Sequence, residues 1–461
     1  MGTTIVEGKY VATIDPTRRI IQDGAVVIEN DKIVDVGKSQ DMRRKHRADR
    51  ILEGPHHMVM PGFVDVHTHL FQCLFRGYGE NLTSEEWLFK YTLAMAKCMK
   101  REDFMWAAKL NTLEMIKSGT TNFADSHFIH IDKQSIDNIV KGVLETGIRA
   151  TIVRSTQNRY QPEEFLEDIG TAKRETRRVY DQYNGAEGRI TVAPEILTVI
   201  EADEEFIAEM KVLALELGNG LHMHVAEHWD EYVYIKNKIS SGLGEIEYID
   251  KLGLLNDKFL MAHVVWATPK EVLLIKKADA KVAHNAVTNQ CGVDGVAPVP
   301  LMRTLGITVG IGCDGASSND DQDMIKAMKM CAMMHKLHSC NSAIIDAEDV
   351  VEMATIDGAK ALRMGDKVGS IEVGKKADLI VIDLKKPHLT PCARPISNLV
   401  YSANGSDVVT TIVDGKIIME NRVVKTVDEE EIIEKASSIA KRLVEESGVH
   451  AFTARDRFKV C

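Results

Sequence analysis

The feature that most constrains this chain is an alternation running through residues 59–366. Eight short, β-branched apolar runs, at residues 63–66, 121–124, 149–153, 190–193, 221–225, 259–262, 281–283 and 308–311, are separated by stretches of helical periodicity such as 102–117 and 203–217. Parallel strands need long crossover connections, and helices supply them. Eight strand–helix units in roughly 300 residues predict a (β/α)8 barrel of the TIM type rather than a doubly wound sheet. The flanks, 1–58 and 367–461, have a different texture of short strands broken by turns: 5–14, 24–28 and 32–36 at one end, 377–383, 408–413 and 416–420 at the other, the last two joined at Asp414-Gly415. They predict a small β-sandwich domain built from both termini, with the barrel inserted at 59–366. The amphipathic helix expected near 429–446 would cap that small domain.

A barrel of this kind carries its active site at the C-terminal ends of its strands. Polar residues just beyond the apolar runs are therefore the candidates. His67 and His69 follow the first run, His224 and Glu227 end the fifth, His263 the sixth and His284 the seventh, and Asp314 follows the eighth. His67 and His69 are two residues apart and share a strand face, as do His222 and His224. Imidazoles so placed suit zinc or ferrous iron. On spacing alone both His222 and His224 are eligible, His224 lying nearer the strand end. Glu227, three residues on, is placed to move protons between a metal-activated water and a leaving nitrogen. Asp314 stands in a Gly-rich turn, Gly312-Cys-Asp-Gly-Ala-Ser-Ser-Asn-Asp320, where Asn319 or Asp320 is also suited to cap a helix beginning near Asp321.

A net charge of −11 argues against a nucleic-acid partner, which needs clustered Lys and Arg. No apolar run reaches the ~18–20 residues of a membrane span, and the N-terminus lacks the form of a signal peptide. Eight scattered cysteines without a Cys-x-x-Cys pair read as reduced, and the cytoplasm is the expected compartment.

Taken together, these motifs resemble the amidohydrolase superfamily, and within it the aminohydrolase branch that holds S-adenosylhomocysteine/methylthioadenosine deaminases, melamine deaminase and atrazine chlorohydrolase. The likeness runs from Gly24 to about Val424 through Pro61-Gly-Phe-Val-Asp-Val-His-Thr-His69, Glu86-Trp-Leu-Phe89, Ser118-Gly-Thr-Thr121, His224-Val-Ala-Glu227, Gly295-Val-Ala-Pro-Val-Pro300 and Gly312 to Asp320. It implies one divalent metal per chain, zinc first and iron second, held by His67, His69, His224 and Asp314. It implies Glu227 as proton shuttle and His263 as the residue that, with Asp314, orients the attacking water. Trp87, Arg154, His284, Asn285 and Ser318 are the implied substrate contacts. Strand four reads Ile190-Thr-Val-Ala-Pro-Glu195, without the lysine that bridges two metals in binuclear members. The expected reaction is hydrolytic deamination of an N-heteroaromatic ring, an aminopurine or its nucleoside, a pterin or an s-triazine. Displacement of chloride or alkylamine from a triazine is the alternative, and a non-catalytic scaffold a remote one. Ala96 stands where the adenosylhomocysteine-type deaminases carry a ribose-gripping Glu, which predicts that a free heterocycle is turned over at least as well as its nucleoside. The expected partners are a small heterocyclic substrate and further copies of the chain, in a dimer or tetramer.

Overall fold

A computed structural model describes residues 2–453. Eight parallel strands follow one another in chain order around a barrel: β1 Phe63–Thr68, β2 Thr120–His127, β3 Arg149–Thr156, β4 Ile190–Ile196, β5 Leu221–Val225, β6 Phe259–His263, β7 Lys281–His284 and β8 Val309–Ile311. Each run predicted from the sequence is a strand. The gap between β8 and β1 is bridged at the top by Asp314, whose backbone N–H donates to the His67 carbonyl at 2.8 Å.

The helices between strands start and stop on local chemistry. Asp168, Asp203 and Asp323 each accept a backbone N–H at a helix start, and Gly119, Gly147 and Gly218 end helices in the left-handed conformation. The helix after β8 is Met324–His338, capped by Asp323 rather than by Asn319 or Asp320. Asn319 instead donates its side-chain amide to the Cys313 carbonyl at 2.6 Å.

Inside the barrel Val64, Val66, Ala124, Val153, Leu260, Ala262 and Ala283 pack together, with Ala359, Leu362 and Met364 joining the same cluster. Outward residues such as Ile152, Met223, Met261 and Val282 belong to the larger core shared with the helices. This alternation decides which strand-end side chains reach the site.

The second sheet has nine strands drawn from both ends of the chain, and most of its pairings are antiparallel. It includes Thr3–Ala12, Ile20–Glu29, Lys32–Lys38, Leu379–Asp383, Val408–Val413 and Lys416–Glu420, and also His57–Pro61. The domain boundary expected at residue 58 thus falls inside a strand of the small sheet. That sheet curls around Val6, Val26, Ile28, Ile371, Leu379 and Ile412. The C-terminal helix Glu429–Ser447 does not cap the small domain. It packs on the barrel helix Arg101–Ser118, to which Lys117–Glu429 and Arg442–Asp103 ion pairs tie it.

One buried ion pair joins the two domains. Arg149, the first residue of β3, reaches Asp378 at 2.7 Å and Asp414 at 3.2 Å, and Arg149 and Asp378 are almost wholly buried. Replacing Asp378 with alanine is expected to cost about 3–5 kcal/mol, because it strands the guanidinium with only Asp414 beside it. Denaturant unfolding checks this through a lowered midpoint, and an unchanged midpoint would remove the pair as a domain clamp.

Candidate metal centre and active-site cavity

The ladder between β1 and β2 slips between Asp65 and Thr68, and this irregularity re-aims the end of β1. His67 and His69 emerge there beside Asp314. His69 Nε2 lies 3.2 Å from Asp314 Oδ1, His67 Nε2 lies 3.6 Å from the same oxygen, and His224 Nε2 lies 3.4 Å from His69 Nε2. Ligands about 2.1 Å from a tetrahedral ion stand roughly 3.4 Å apart, so these three separations are of coordination-shell size, and His67 has ligand atoms within 4.8 Å of His69 and Asp314 on one side and of His224 and His263 on the other. His67 Nε2 is buried and has no hydrogen-bond partner, which is what a lone pair directed at a cation looks like. The donor set of three imidazoles and one carboxylate suits a divalent metal, which makes these four residues candidate ligands.

The ligands are themselves held. His69 Nδ1 donates to the Ser126 carbonyl at 2.6 Å, which turns Nε2 toward the site. His224 Nδ1 faces Glu195 Oε1 at 3.2 Å, and Ser126 Oγ donates to the other Glu195 oxygen at 2.5 Å. Ser126 and Glu195 therefore link the supports of two ligand histidines. Burial works to raise the Asp314 carboxyl, but hydrogen bonding and charge from His69, with His263 and His67 behind, hold it well below the usual carboxylate range. Burial and the neighbouring imidazoles keep His67 neutral, as a ligand must be.

The turns that carry these groups are strained. Ala226, His263, Val264 and Asp314 all have left-handed backbones, with φ of 50°, 72°, 53° and 62°. Hydrogen bonds over-determine them: the Ala226 N–H donates to Glu245 at 2.8 Å, and Val265 and Trp266 both donate to the Ala226 carbonyl. Gly312 has no alternative, since a Cβ there would lie 3.0 Å from the His67 carbonyl and closer still to Asn285 Oδ1.

Opposite the quartet stand Glu227 and His263, with Glu227 Oε1 3.4 Å from His263 Nδ1. Asn285 and Asn289 turn their amides to the His263 ring at 3.2 Å. Burial raises the Glu227 carboxyl well above its ordinary value. His228 Nε2 approaches Glu227 Oε1 at 3.7 Å, while its Nδ1 meets Asp294 Oδ1 at 2.9 Å. Burial opposes a charge on His228, but Glu227 and Asp294 prevail and push it up to about 10.

Two adjoining cavities of about 430 and 350 Å³ meet at this point, and Trp87, Glu227, His228 and Asp314 line both. Trp87 also donates its indole N–H to the Ser317 carbonyl at 3.0 Å. Ser318 lines the smaller lobe, its hydroxyl 3.5 Å from Asp314 Oδ2.

Of the expected substrate contacts, Arg154, His284 and Asn285 line neither of these two cavities, Asn285 reaching His263 instead; Arg154 and His284 are turned away altogether. Both have the parity of outward residues. Val153 and Ala283 point into the barrel, so Arg154 and His284 turn toward the helices. Arg154 makes a two-pronged pair with Glu167 at 2.7 and 2.9 Å, and His284 Nε2 sits 3.1 Å from His335 Nε2. His222, inward but lower on β5, lies buried near Glu195. Glu195, at the end of the fourth run, satisfies the strand-end rule but is not among the residues singled out from the sequence. No sequence signal pointed to the His228–Asp294 pair.

The sequence model of the amidohydrolase family matches residues 58–418. A 5′-deoxyadenosine deaminase of Methanosarcina mazei is 38% identical over 444 residues, covering 96% of this chain and 99% of the relative. A 5-methylthioadenosine/S-adenosylhomocysteine deaminase of Acetivibrio thermocellus is 34% identical over 95% of this chain and 99% of its own length. The crystal structure of an adenosine deaminase from Xanthomonas campestris with bound zinc superposes with a TM-score of 0.91 at 26% identity, over 96% of this chain and 98% of that one. The chain belongs to the amidohydrolase family, and within it is a hydrolytic deaminase acting on a heteroaromatic ring.

Proposed function

We propose that the protein removes the exocyclic amine of an adenosine-type nucleoside altered at its 5′ position, releasing ammonia and leaving a carbonyl on the ring. The observation that carries the reading is the His67–His69–His224–Asp314 quartet facing Glu227 where the two lobes join. One lobe can take a ring while the other takes its substituent. The likeness to relatives named for 5′-modified adenosines supports the same choice.

In this reading His67, His69, His224 and Asp314 would hold one zinc ion, which when bound would supply the acidity that makes water a nucleophile at neutral pH. Asp314 and His263 orient that water from opposite sides. Glu227 accepts its first proton and passes it to the ring nitrogen next to the carbon under attack, then takes the remaining hydroxyl proton from the adduct and delivers it to the amine, which leaves as ammonia while the ring carbon becomes a carbonyl. Burial favours the protonated form of Glu227 and so suits the second half of its task. His263 is neutral through burial and meets two side-chain amides, so it acts by position rather than as a cation.

The free-heterocycle expectation rested on Ala96. That residue is wholly buried in the helix Leu93–Lys97 and lines neither lobe, while carboxylates of Glu85 and Glu201 do. A missing carboxylate at 96 therefore does not leave the cavity without acceptors for a sugar.

The test is ammonia release by the zinc-loaded protein from 5′-deoxyadenosine, 5′-methylthioadenosine, adenine and melamine. The nucleosides are expected to exceed adenine by at least about 10-fold in kcat/KM, the ratio that reports transition-state binding. Adenine or melamine as the better substrate would overturn the nucleoside assignment and restore the argument from Ala96.

A further inference from the structure

Charge is distributed unevenly around the cavity. Among the described residues no lysine or arginine lines either lobe, whereas the larger one carries Glu85, Glu201, Asp230 and Glu231 in addition to the residues of the reacting centre. Arg154, the one strand-end guanidinium that might have met a carboxylate, is committed to Glu167.

Within the acidic lobe, Glu201 and Gln161 form a built pair. Both are more than nine-tenths buried. The Gln161 amide N–H donates to Glu201 Oε1, and Thr198 Oγ1 donates to Oε2 at 2.9 Å. A flip of the Gln161 amide would set oxygen against carboxylate, so the carbonyl oxygen is the atom left over. That oxygen, Oε1, is buried with no hydrogen-bond partner among the described residues, in a side chain that lines the lobe. Beside it, the described residues give Glu201 no lysine or arginine partner, and Glu231 adds like charge. Burial and that neighbour push the Glu201 carboxyl up to about 7. A buried carboxylate without a counter-charge is costly, and so is an orphaned amide oxygen. One group that donates hydrogen bonds and carries positive charge would answer both. The indoles of Trp229 and Trp266, with centroids 4.7 Å apart on the same lobe, add aromatic faces that favour a cation.

We propose that Glu201 and Gln161 form an acceptor subsite for a protonated amine carried on the substrate away from the reacting ring, in a lobe that turns away carboxylates and phosphates. This inference rests on the nucleoside reading above, and it adds a charge class to it.

The experiment compares, on the zinc-loaded full chain, kcat/KM for 5′-amino-5′-deoxyadenosine, neutral 5′-deoxyadenosine and adenosine 5′-monophosphate. The amine is expected to exceed the neutral compound by about 10-fold, equivalent to about 1.4 kcal/mol, chiefly through KM. The phosphate is expected to fall at least about 100-fold below the neutral compound. In Glu201→Gln the amine-to-neutral ratio should collapse toward one, and Gln161→Leu, which removes the second acceptor, should lower it as well. A phosphate accepted as readily as the neutral compound, or a ratio that Glu201→Gln does not move, would overturn the subsite. If no adenosine releases ammonia, the ring assignment fails separately. The three compounds are then compared by calorimetric Kd, and an amine that binds no tighter than the phosphate overturns the subsite on that measurement alone.

Discussion

Replacing His67 or Asp314 with alanine is expected to remove the bound metal and ammonia release together, the largest effect any single substitution in this protein should have. In this reading each ligand supplies one vertex of the site, and the separations of 3.6, 3.2 and 3.4 Å between them are of coordination-shell size. Asp314 is also the one anion of the quartet, so its loss leaves three neutral donors to face a divalent cation. Elemental analysis of the wild-type protein should find about one equivalent of zinc or iron per chain. Because a metal that binds only the folded state raises stability, chelation should lower the wild-type Tm and leave that of either variant unchanged. The support behind the ligands predicts a graded companion. Glu195→Gln keeps all four ligands but weakens the hold on His224, and should cost about 10–100-fold in metal affinity. Two tightly bound metals per chain, or full metal in His67→Ala, would sink the mononuclear assignment.

The eight barrel strands were readable because each is a compact β-branched run bounded by polar turns, a pattern that burial on both faces imposes. Among the small-domain strands, His57–Pro61 was not read as one, because it leads into Gly62 and the first barrel strand without a turn signal. The reading of the site shows where strand-end logic runs short. Position along the chain says which residues reach the top of the barrel, and parity says which of them face inward. For His224 both rules agree. For Arg154 and His284 only the first was applied, and the inward neighbours Val153 and Ala283 decide against them. His67 and His69 show the opposite case, since a slip in the β1–β2 ladder re-aims them, and no strand period predicts such a slip. The final helix was legible as amphipathic, but amphipathicity does not name the surface it covers, and long-range pairs such as Arg442–Asp103 fix that choice.

Glu227→Gln is expected to leave metal content intact while lowering turnover at least ~100-fold, the usual scale for a lost general acid–base group. Glutamine keeps the shape of the side chain, so the His263 contact at 3.4 Å can survive, but it can neither take a proton from water nor return one to the leaving amine. The fall should therefore appear in kcat rather than KM, since the interaction lost is made in the transition state. His228 makes the assignment sharper. Its imidazolium, held between Glu227 and Asp294, opposes the upward pull of burial on the Glu227 carboxyl. Removing that charge in His228→Gln should raise the Glu227 pKa further, because a cationic neighbour that favours its ionised form is lost. Glu227 must start deprotonated to accept the first proton, so the acid limb of the kcat/KM profile should move to higher pH. The same substitution should leave metal content unchanged, as His228 is no member of the quartet. A pH profile that stays in place in His228→Gln would mean the imidazole does not tune Glu227. Near-normal turnover in Glu227→Gln would move the shuttle to His263, whose neutral ring lies next to the same carboxylate.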